Sequence, residues 1–214
     1  PVAETLDYAK SVIENELNST NDNPIVSVEE QNVFHGGNFH GDYVSLEMDK
    51  VKIVITRLTM LAERQLNFLL NAKLNGKFPA FLNLKQLGFN FGIQGLQFTA
   101  TSTTAENQTL SNPMYVHSIP NNNDNQDIVS MGTNSAVMTK KVIENGFQVM
   151  AIHMIAVCQA IDLLDDTQKA QISSKTKNTY DLIRAVMPAV TDDVPQSENI
   201  KKVIEVLRTN NIEL

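Results

Sequence analysis

Two clusters of turn-forming residues and side-chain amides lie near the start of the chain. Residues 18–24 read Asn-Ser-Thr-Asn-Asp-Asn-Pro, and residues 34–41 read Phe-His-Gly-Gly-Asn-Phe-His-Gly. Ordering such segments costs backbone entropy that a simple connector does not require. Side-chain amides both donate and accept hydrogen bonds at fixed geometry. We therefore expect the two clusters to form part of a binding or catalytic site.

A third run of amides occupies residues 121–127, Asn-Asn-Asn-Asp-Asn-Gln-Asp, after Pro113 and Pro120. Taken alone, such a run is typical of a solvated loop. His35 and His40 flank the Gly-Gly turn, and no other histidine is near them in the sequence. A metal site needs more ligands than this pair offers. We expect structural hydrogen bonding from both histidines, and no metal.

Composition narrows the class of protein. The chain has 214 residues, 42% of them hydrophobic, and a net charge of -7. An acidic surface argues against nucleic acid or an anionic membrane as a partner. No apolar run approaches the roughly 20 residues of a spanning helix. The single Cys158 cannot form an internal disulfide, so we expect a cytoplasmic protein in which it packs in the core. The missing initial Met suggests an excised fragment.

Apolar periodicity predicts an all-α fold, a bundle of long, roughly antiparallel helices with a small β-hairpin near the N-terminus. The hairpin is predicted around residues 25–34. We expect residues 1–165 to form a central bundle that carries the site loops, and residues 166–214 to add peripheral helices to the same domain. Helices are predicted at 3–17, 42–75, 92–110, 129–164, 167–186 and 198–209.

Two of these helices carry heptad-like apolar stripes, which predict that they lie centrally in the bundle. The stripe of the 42–75 helix is Val44, Met48, Val51, Ile55, Leu58, Ala62 and Leu69. The stripe of the 129–164 helix is Ile143, Phe147, Met150, Met154, Val157, Ile161 and Leu164.

Four motifs in order identify a resemblance. They are Asn-Ser-Thr-Asn-Asp-Asn-Pro at 18–24, Gly-Gly-Asn-Phe-His-Gly at 36–41, Asn-Gln-Asp-Ile-Val-Ser-Met-Gly at 125–132 and Cys-Gln-Ala-Ile-Asp-Leu at 158–163. Together they resemble the aromatic amino acid ammonia-lyases, the family of histidine, phenylalanine and tyrosine ammonia-lyase. The resemblance covers about residues 1–165.

The resemblance implies a cofactor that this sequence does not supply. Family members form the electrophile methylidene-imidazolone (MIO) from an Ala-Ser-Gly tripeptide, which does not occur in these 214 residues. Their catalytic tyrosine and carboxylate-binding arginine belong to segments upstream of the first motif. We therefore expect the carboxy-terminal portion of such an enzyme, inactive by itself. Family members are homotetramers whose active sites combine several subunits, which implies a homo-oligomeric protein.

The resemblance also implies roles for six residues. Asn23 matches the residue that orients the carboxylate-binding arginine and the substrate carboxylate. Phe39 matches the aromatic residue beside the electrophile and the substrate ring. Asn125 and Gln126 match the pair near the substrate amine and the prosthetic ring. Two further positions line the pocket: Gln94, where members differ, and Asn122, where plant phenylalanine lyases carry Glu.

These roles suit the elimination of ammonia from an aromatic amino acid. Neutral amides hold a zwitterion without adding a charge that must be desolvated, while the electrophile activates the amine as a leaving group. Histidine ammonia-lyases commonly carry Glu where this chain has Gln126. The amide therefore favours tyrosine or phenylalanine as substrate, with histidine as the alternative.

Two other functions are compatible with the sequence. An aromatic amino acid 2,3-aminomutase, which returns ammonia to the β-carbon, shares the same motifs. A non-catalytic helical oligomerisation module would use the heptad-like stripes, and its Asn-rich loops would only connect helices. Such a module tolerates Asn23→Ala, Phe39→Ala and Gln126→Ala, whereas an enzyme loses turnover.

Overall fold

The computed structural model describes residues 1–210 and confirms an all-α fold with one small hairpin. No helix within these residues is both long and apolar enough to cross a membrane. The strands β1 (Ile25–Ser27) and β2 (Asn32–Phe34) pair antiparallel. The helices are α1 (Val2–Leu17), α2 (Asp42–Leu70), α3 (Ala72–Asn75), α4 (Gln94–Leu110), α5 (Gly132–Asp162), α6 (Asp166–Lys169), α7 (Ser174–Val186) and α8 (Ser197–Thr209).

Side-chain caps divide two segments that the periodicity predicted as single helices. The helix predicted to reach residue 75 breaks at Asn71, whose side chain accepts a hydrogen bond from the backbone N–H of Lys73 and begins α3. The helix predicted at 167–186 breaks at Ser173, whose hydroxyl accepts from the N–H of Thr176 and begins α7. In both places a local hydrogen bond to the side chain starts a new helix.

The chain divides into two compact units. The first comprises Pro1–Arg57 and Asn107–Ile143. The second comprises Leu58–Glu106 and Glu144–Leu214, of which residues up to 210 are described. Each unit contains part of α2, α4 and α5. The predicted domain organisation, with its boundary at residue 165, stays a prediction.

The first unit has an unusually polar interior. Its part of α2 buries Ser45, Asp49, Lys52 and Thr56, spaced by four, three and four residues, which we call the buried polar face of α2. The apolar stripe predicted for this helix lies beside that face and is mostly half-buried. Buried polar groups require hydrogen-bond partners, and here the partners come from the last turn of α4, from the residues that follow it and from the start of α5.

The second unit has an apolar core. On α5 the fully buried line runs through Val149, Ile152, Ala156 and Gln159, next to the predicted stripe and not along it. Met150 and Met154 of that stripe are half-buried against the core. The fully buried face of α5 is therefore offset by about one residue from the predicted apolar stripe. The buried cluster includes Ala62, Leu66, Leu70, Leu82, Leu96, Ala100, Ile155, Ile183 and Val203.

A close turn precedes α4 in the second unit. Phe81 and Leu82 have φ of 58° and 50°, and Gly92 has φ of 55°. The Phe81 carbonyl accepts a hydrogen bond from the N–H of Ile93 at 3.1 Å. A Cβ atom on Gly92 would lie 2.6 Å from that carbonyl oxygen. Only glycine fits there, because both the positive φ and the contact exclude a side chain.

Replacing Gly92 with Ala should destabilise the second unit by at least about 2 kcal/mol, since the methyl group adds left-handed strain to a clash with backbone. Urea unfolding measures the loss. The matched control is Gly95→Ala, where a Cβ meets nothing within 4 Å and helix propensity favours alanine. Equal unfolding midpoints for the two variants would contradict this description of the turn.

Cys158 should be almost unreactive in the folded protein. It is 2% exposed, and burial raises the pKa of its thiol to about 11. Because the thiolate is the nucleophile, alkylation at pH 8 should be at least about 100-fold slower than for an exposed cysteine. Mass spectrometry of the peptide that contains Cys158, labelled with and without urea, measures the ratio. Similar labelling rates would show that the thiol is accessible.

Candidate active site

The hairpin brings the first two motifs together. Ile25 pairs with Phe34, so the residues just before β1 and just after β2 are neighbours. The side-chain oxygen of Asn23 accepts a hydrogen bond from the backbone N–H of Gly36 at 3.4 Å. One amide of the first motif thus contacts the glycine turn of the second.

The second motif forms a short 3₁₀ turn over Asn38–His40. The rings of Phe39 and His40 are 4.4 Å apart between centroids and tilted by 31°. Phe39 remains 38% exposed, while the backbone carbonyl of His40 takes part in the contact described next. The turn therefore exposes part of the Phe39 ring, while a hydrogen bond holds the backbone of the next residue, His40.

Ser130 joins the second motif to the third. Its hydroxyl donates to the His40 carbonyl at 2.5 Å and accepts from the N–H of Gly132 at 3.3 Å. The two motifs also meet at their glycines, because a Cβ on Gly132 would lie 3.3 Å from the carbonyl oxygen of Gly41. The structure thus brings the motifs at 18–24, 36–41 and 125–132 into one hydrogen-bonded arrangement within the first unit.

Residues 111–131, which we call the amide loop, connect α4 to α5. Asn121 and Gln126 pair through both backbone groups, at 3.0 and 3.4 Å, and Asn122 begins a tight turn with φ of 55°. Asn122 and Asn125 are exposed and Gln126 is half-buried. Their side-chain amides make no hydrogen bond to any of residues 1–210.

The buried polar face of α2 holds this arrangement and was not predicted. The hydroxyl of Ser45 donates to the Ser130 carbonyl at 2.6 Å, and that of Ser135 donates to Asp49 at 2.6 Å. A signal was present in the sequence, since the polar residues of α2 recur with the same four-and-three spacing as its apolar stripe. A polar stripe on a largely apolar helix indicates one of two things: a face exposed to solvent, or a buried face whose polar groups are hydrogen-bonded.

Asp49 is ionised in this setting. Burial by itself raises the pKa of its carboxyl group, but hydrogen bonds from Lys52, Ser135 and the N–H of Tyr115 outweigh burial and hold the pKa below its ordinary value. A carboxylate whose pKa is lowered by folding stabilises the protein fully above the unfolded value of about 4, and that contribution is lost as the pH falls below it.

Gln94 and the fourth motif belong to the second unit. Gln94 is the first residue of α4 and borders a cleft of ≈ 630 Å³ that Thr99, Gln148 and Asp193 also line. In the fourth motif, Gln159 donates to the carbonyls of Leu82 and Val190 and accepts from the N–H of Val190. The fourth motif therefore has a structural role in the second unit.

The residues predicted to line the site form a neutral donor and acceptor set. Phe39 offers an aromatic ring, and Asn122, Asn125 and Gln126 offer amides without a partner among the described residues. Such a set fits an uncharged planar prosthetic ring and a zwitterionic ligand. Within residues 1–210, no three His, Cys, Asp or Glu side chains are grouped so as to hold a metal ion.

Comparisons with known proteins identify the family of the chain. A family profile described as "Aromatic amino acid lyase" matches residues 1–185. A tyrosine ammonia-lyase of Cupriavidus metallidurans is 38% identical over 207 residues, which are 97% of this chain and 38% of that protein. A protein of Streptomyces globisporus named MIO-dependent tyrosine 2,3-aminomutase is 38% identical over 206 residues, which are 96% of this chain and 38% of that protein.

The chain is also similar to solved structures. The crystal structure of histidine ammonia-lyase from Trypanosoma cruzi has a TM-score of 0.88 to this chain at 32% identity. The match covers 98% of this chain and 40% of that one. The chain spans about two fifths of the length of these relatives.

Removing the hydroxyl of Ser130 should weaken the first unit. Ser130→Ala leaves the His40 carbonyl and the Gly132 N–H without this partner, and because both groups are only partly buried we expect a loss of about 1 kcal/mol. Urea unfolding measures the change. Ser102→Ala, at an exposed position of α4, is the control and should change stability by less than about 0.5 kcal/mol. Indistinguishable midpoints would show that Ser130 does not join the two motifs.

Proposed function

The chain belongs to the aromatic amino acid lyase family, and from that membership we propose that it forms part of a carbon-nitrogen lyase that eliminates ammonia from an aromatic amino acid. The product would be the α,β-unsaturated acid. The observation that supports the proposal is the hydrogen bond of Ser130 to the His40 carbonyl, since it links the turn that carries Phe39 to the amide loop.

Each of the six residues has a proposed role. Asn23 orients the substrate carboxylate, Phe39 packs against the aromatic ring, and Asn125 and Gln126 bind the amine and the prosthetic ring. Neutral amides suit this task because their position matters more than charge when a zwitterion must be oriented. Asn122 and Gln94 are the remaining proposed lining residues, the latter in the second unit.

We propose that the MIO electrophile comes from a part of the full-length protein outside these 214 residues, since they contain no Ala-Ser-Gly. When present, the group supplies an electrophilic carbon that activates the amine. In this chain Asn125 and Gln126 would hold it by neutral hydrogen bonds, beside the ring of Phe39. The 214 residues alone should then be inactive.

The proposed substrate is tyrosine or phenylalanine, and its support is Gln126. A neutral amide here leaves no carboxylate to pair with a charged imidazole, as a histidine substrate would favour. A relative at 38% identity is named a tyrosine 2,3-aminomutase, so return of ammonia to the β-carbon is the second candidate reaction. Detection of a β-amino acid among the products distinguishes the mutase from the lyase.

We also propose a homotetrameric, cytoplasmic enzyme without metal, nucleic acid or membrane as partners. Exposed apolar side chains support assembly: on α2, Ile53, Leu61 and Phe68 are each about half exposed, at 49%, 55% and 50%. Surfaces of this kind are normally covered by other parts of a protein or by other subunits.

Ultraviolet absorbance of the full-length protein incubated separately with tyrosine, phenylalanine and histidine tests the reaction. Formation of coumarate or cinnamate supports the proposed substrates, while urocanate would retain the family and overturn the substrate. Failure with all three, by protein that carries its electrophile, would favour the non-catalytic oligomerisation module. The 214-residue chain is the inactive control.

Gln126→Ala should reduce kcat/KM about 10- to 100-fold with folding intact, because a hydrogen bond to a charged ligand contributes about 1.5–3 kcal/mol. Gln108→Ala, at an exposed position of α4, is the matched control and should leave turnover unchanged. Gln126→Glu should shift the ratio of kcat/KM values from tyrosine toward histidine by at least about tenfold. An unchanged ratio would contradict the role given to this amide.

A further inference from the structure

A buried ion pair in the first unit has no part in the proposed chemistry. Lys52 is 0% exposed and Asp49 is 2% exposed, and Lys52 Nζ lies 2.8 Å from Asp49 Oδ1. Both residues are on α2, one turn apart. Burying two charges is costly, and apolar side chains of similar size often fill such space with no loss of stability. Filling the interior therefore does not by itself explain why an ion pair is buried here.

The partners of the pair are backbone groups of the amide loop. Lys52 Nζ donates to the carbonyl oxygen of Asn112 at 2.8 Å. Asp49 Oδ2 accepts from the backbone N–H of Tyr115 at 2.7 Å. These two groups belong to irregular chain just after α4, where no helix or strand supplies a partner. The ion pair thus holds the beginning of the loop at two points.

The same helix face holds the end of the loop. Asp49 Oδ1 also accepts from the hydroxyl of Ser135 on α5, and Ser45 donates to the Ser130 carbonyl. Asp49 contacts the chain at both ends of the loop, through Tyr115 near its beginning and Ser135 just after its end. The loop residues between these anchors, which include Asn125 and Gln126, are largely exposed and hydrogen-bond to one another, as in the backbone pair of Asn121 and Gln126.

We propose that Asp49 and Lys52 are positioning residues that fix the amide loop, so that Asn125 and Gln126 meet the substrate at the correct distance. The anchoring follows from the contacts alone, whereas its catalytic consequence rests on the proposed function. A misplacement of about 1 Å at a reacting group can cost about 100-fold in rate, so anchors outside the site can control turnover.

Hydrogen exchange of the full-length protein tests the anchoring without any activity. Lys52→Met should accelerate exchange at least about tenfold at the backbone amides of Tyr115, Gln126 and Val129, while β1 and β2 keep their protection. Lys140→Met, at an exposed position of α5, is the matched control and should change neither region. Unchanged exchange in the loop of the Lys52 variant would overturn the proposal.

A charge-neutral double variant separates positioning from simple stabilisation. Asp49→Asn combined with Lys52→Met removes both charges, so it should fold even where Lys52→Met alone leaves an unpaired buried carboxylate and does not. The Asn112 carbonyl still loses its partner, and the loop stays loosened. We expect near-normal thermal stability with kcat reduced about 10- to 100-fold and KM changed less than about threefold. If the double variant regains normal kcat as well as stability, the two residues only neutralise each other's charge and do not position the loop.

The two proposals fail in different ways. If the unmodified full-length protein turns over no aromatic amino acid but Lys52→Met still loosens the loop, the proposed function fails and the anchoring stands. If the protein is active and the double variant keeps both kcat and loop protection, the proposed function stands and the positioning role is wrong.

Discussion

A charge that is removed from water must be paired and hydrogen-bonded, and the first unit depends on this constraint. Lys52 and Asp49 lie at the centre of the buried polar face of α2, and each also forms a hydrogen bond with a backbone group of the amide loop. Ser45 and Ser130 extend the same network to the carbonyl of His40. The buried polar face of α2 therefore determines where the irregular backbone of the amide loop runs.

This arrangement separates support from chemistry. The buried groups are charged or hydroxyl-bearing and hydrogen-bonded, whereas Phe39 is partly exposed and the side-chain amides of Asn125 and Gln126 have no hydrogen-bond partner among the described residues. Catalysis that depends on orientation benefits from such a division, because rigid support removes the entropy of placing the binding groups. The second unit, with its apolar core, supplies Gln94 and a fourth motif that holds turns together through Gln159.

The sequence predicted the helices and the hairpin because their periodicity is local information. Burial was harder to predict: on α5 the line through Val149 and Ile152 is fully buried, whereas the more hydrophobic neighbouring stripe is mostly half-buried, since tertiary packing decides which face turns inward. The helix break at Ser173 was not predicted, because a single N-terminal cap outweighed a continuous run of helix-forming residues. The four motifs identified the family and three of them meet, but the Asp49 and Lys52 anchors came only from long-range contacts.

The most direct test is a structure of the full-length protein with a bound product such as coumarate or cinnamate. The proposed function predicts the product ring against Phe39, its carboxylate toward Asn23, and the amide of Gln126 within hydrogen-bond distance of the prosthetic ring, with the Lys52 contact to Asn112 intact. Product bound away from Phe39 and Gln126, or a loop that abandons the Asp49 and Lys52 contacts when product binds, would contradict it.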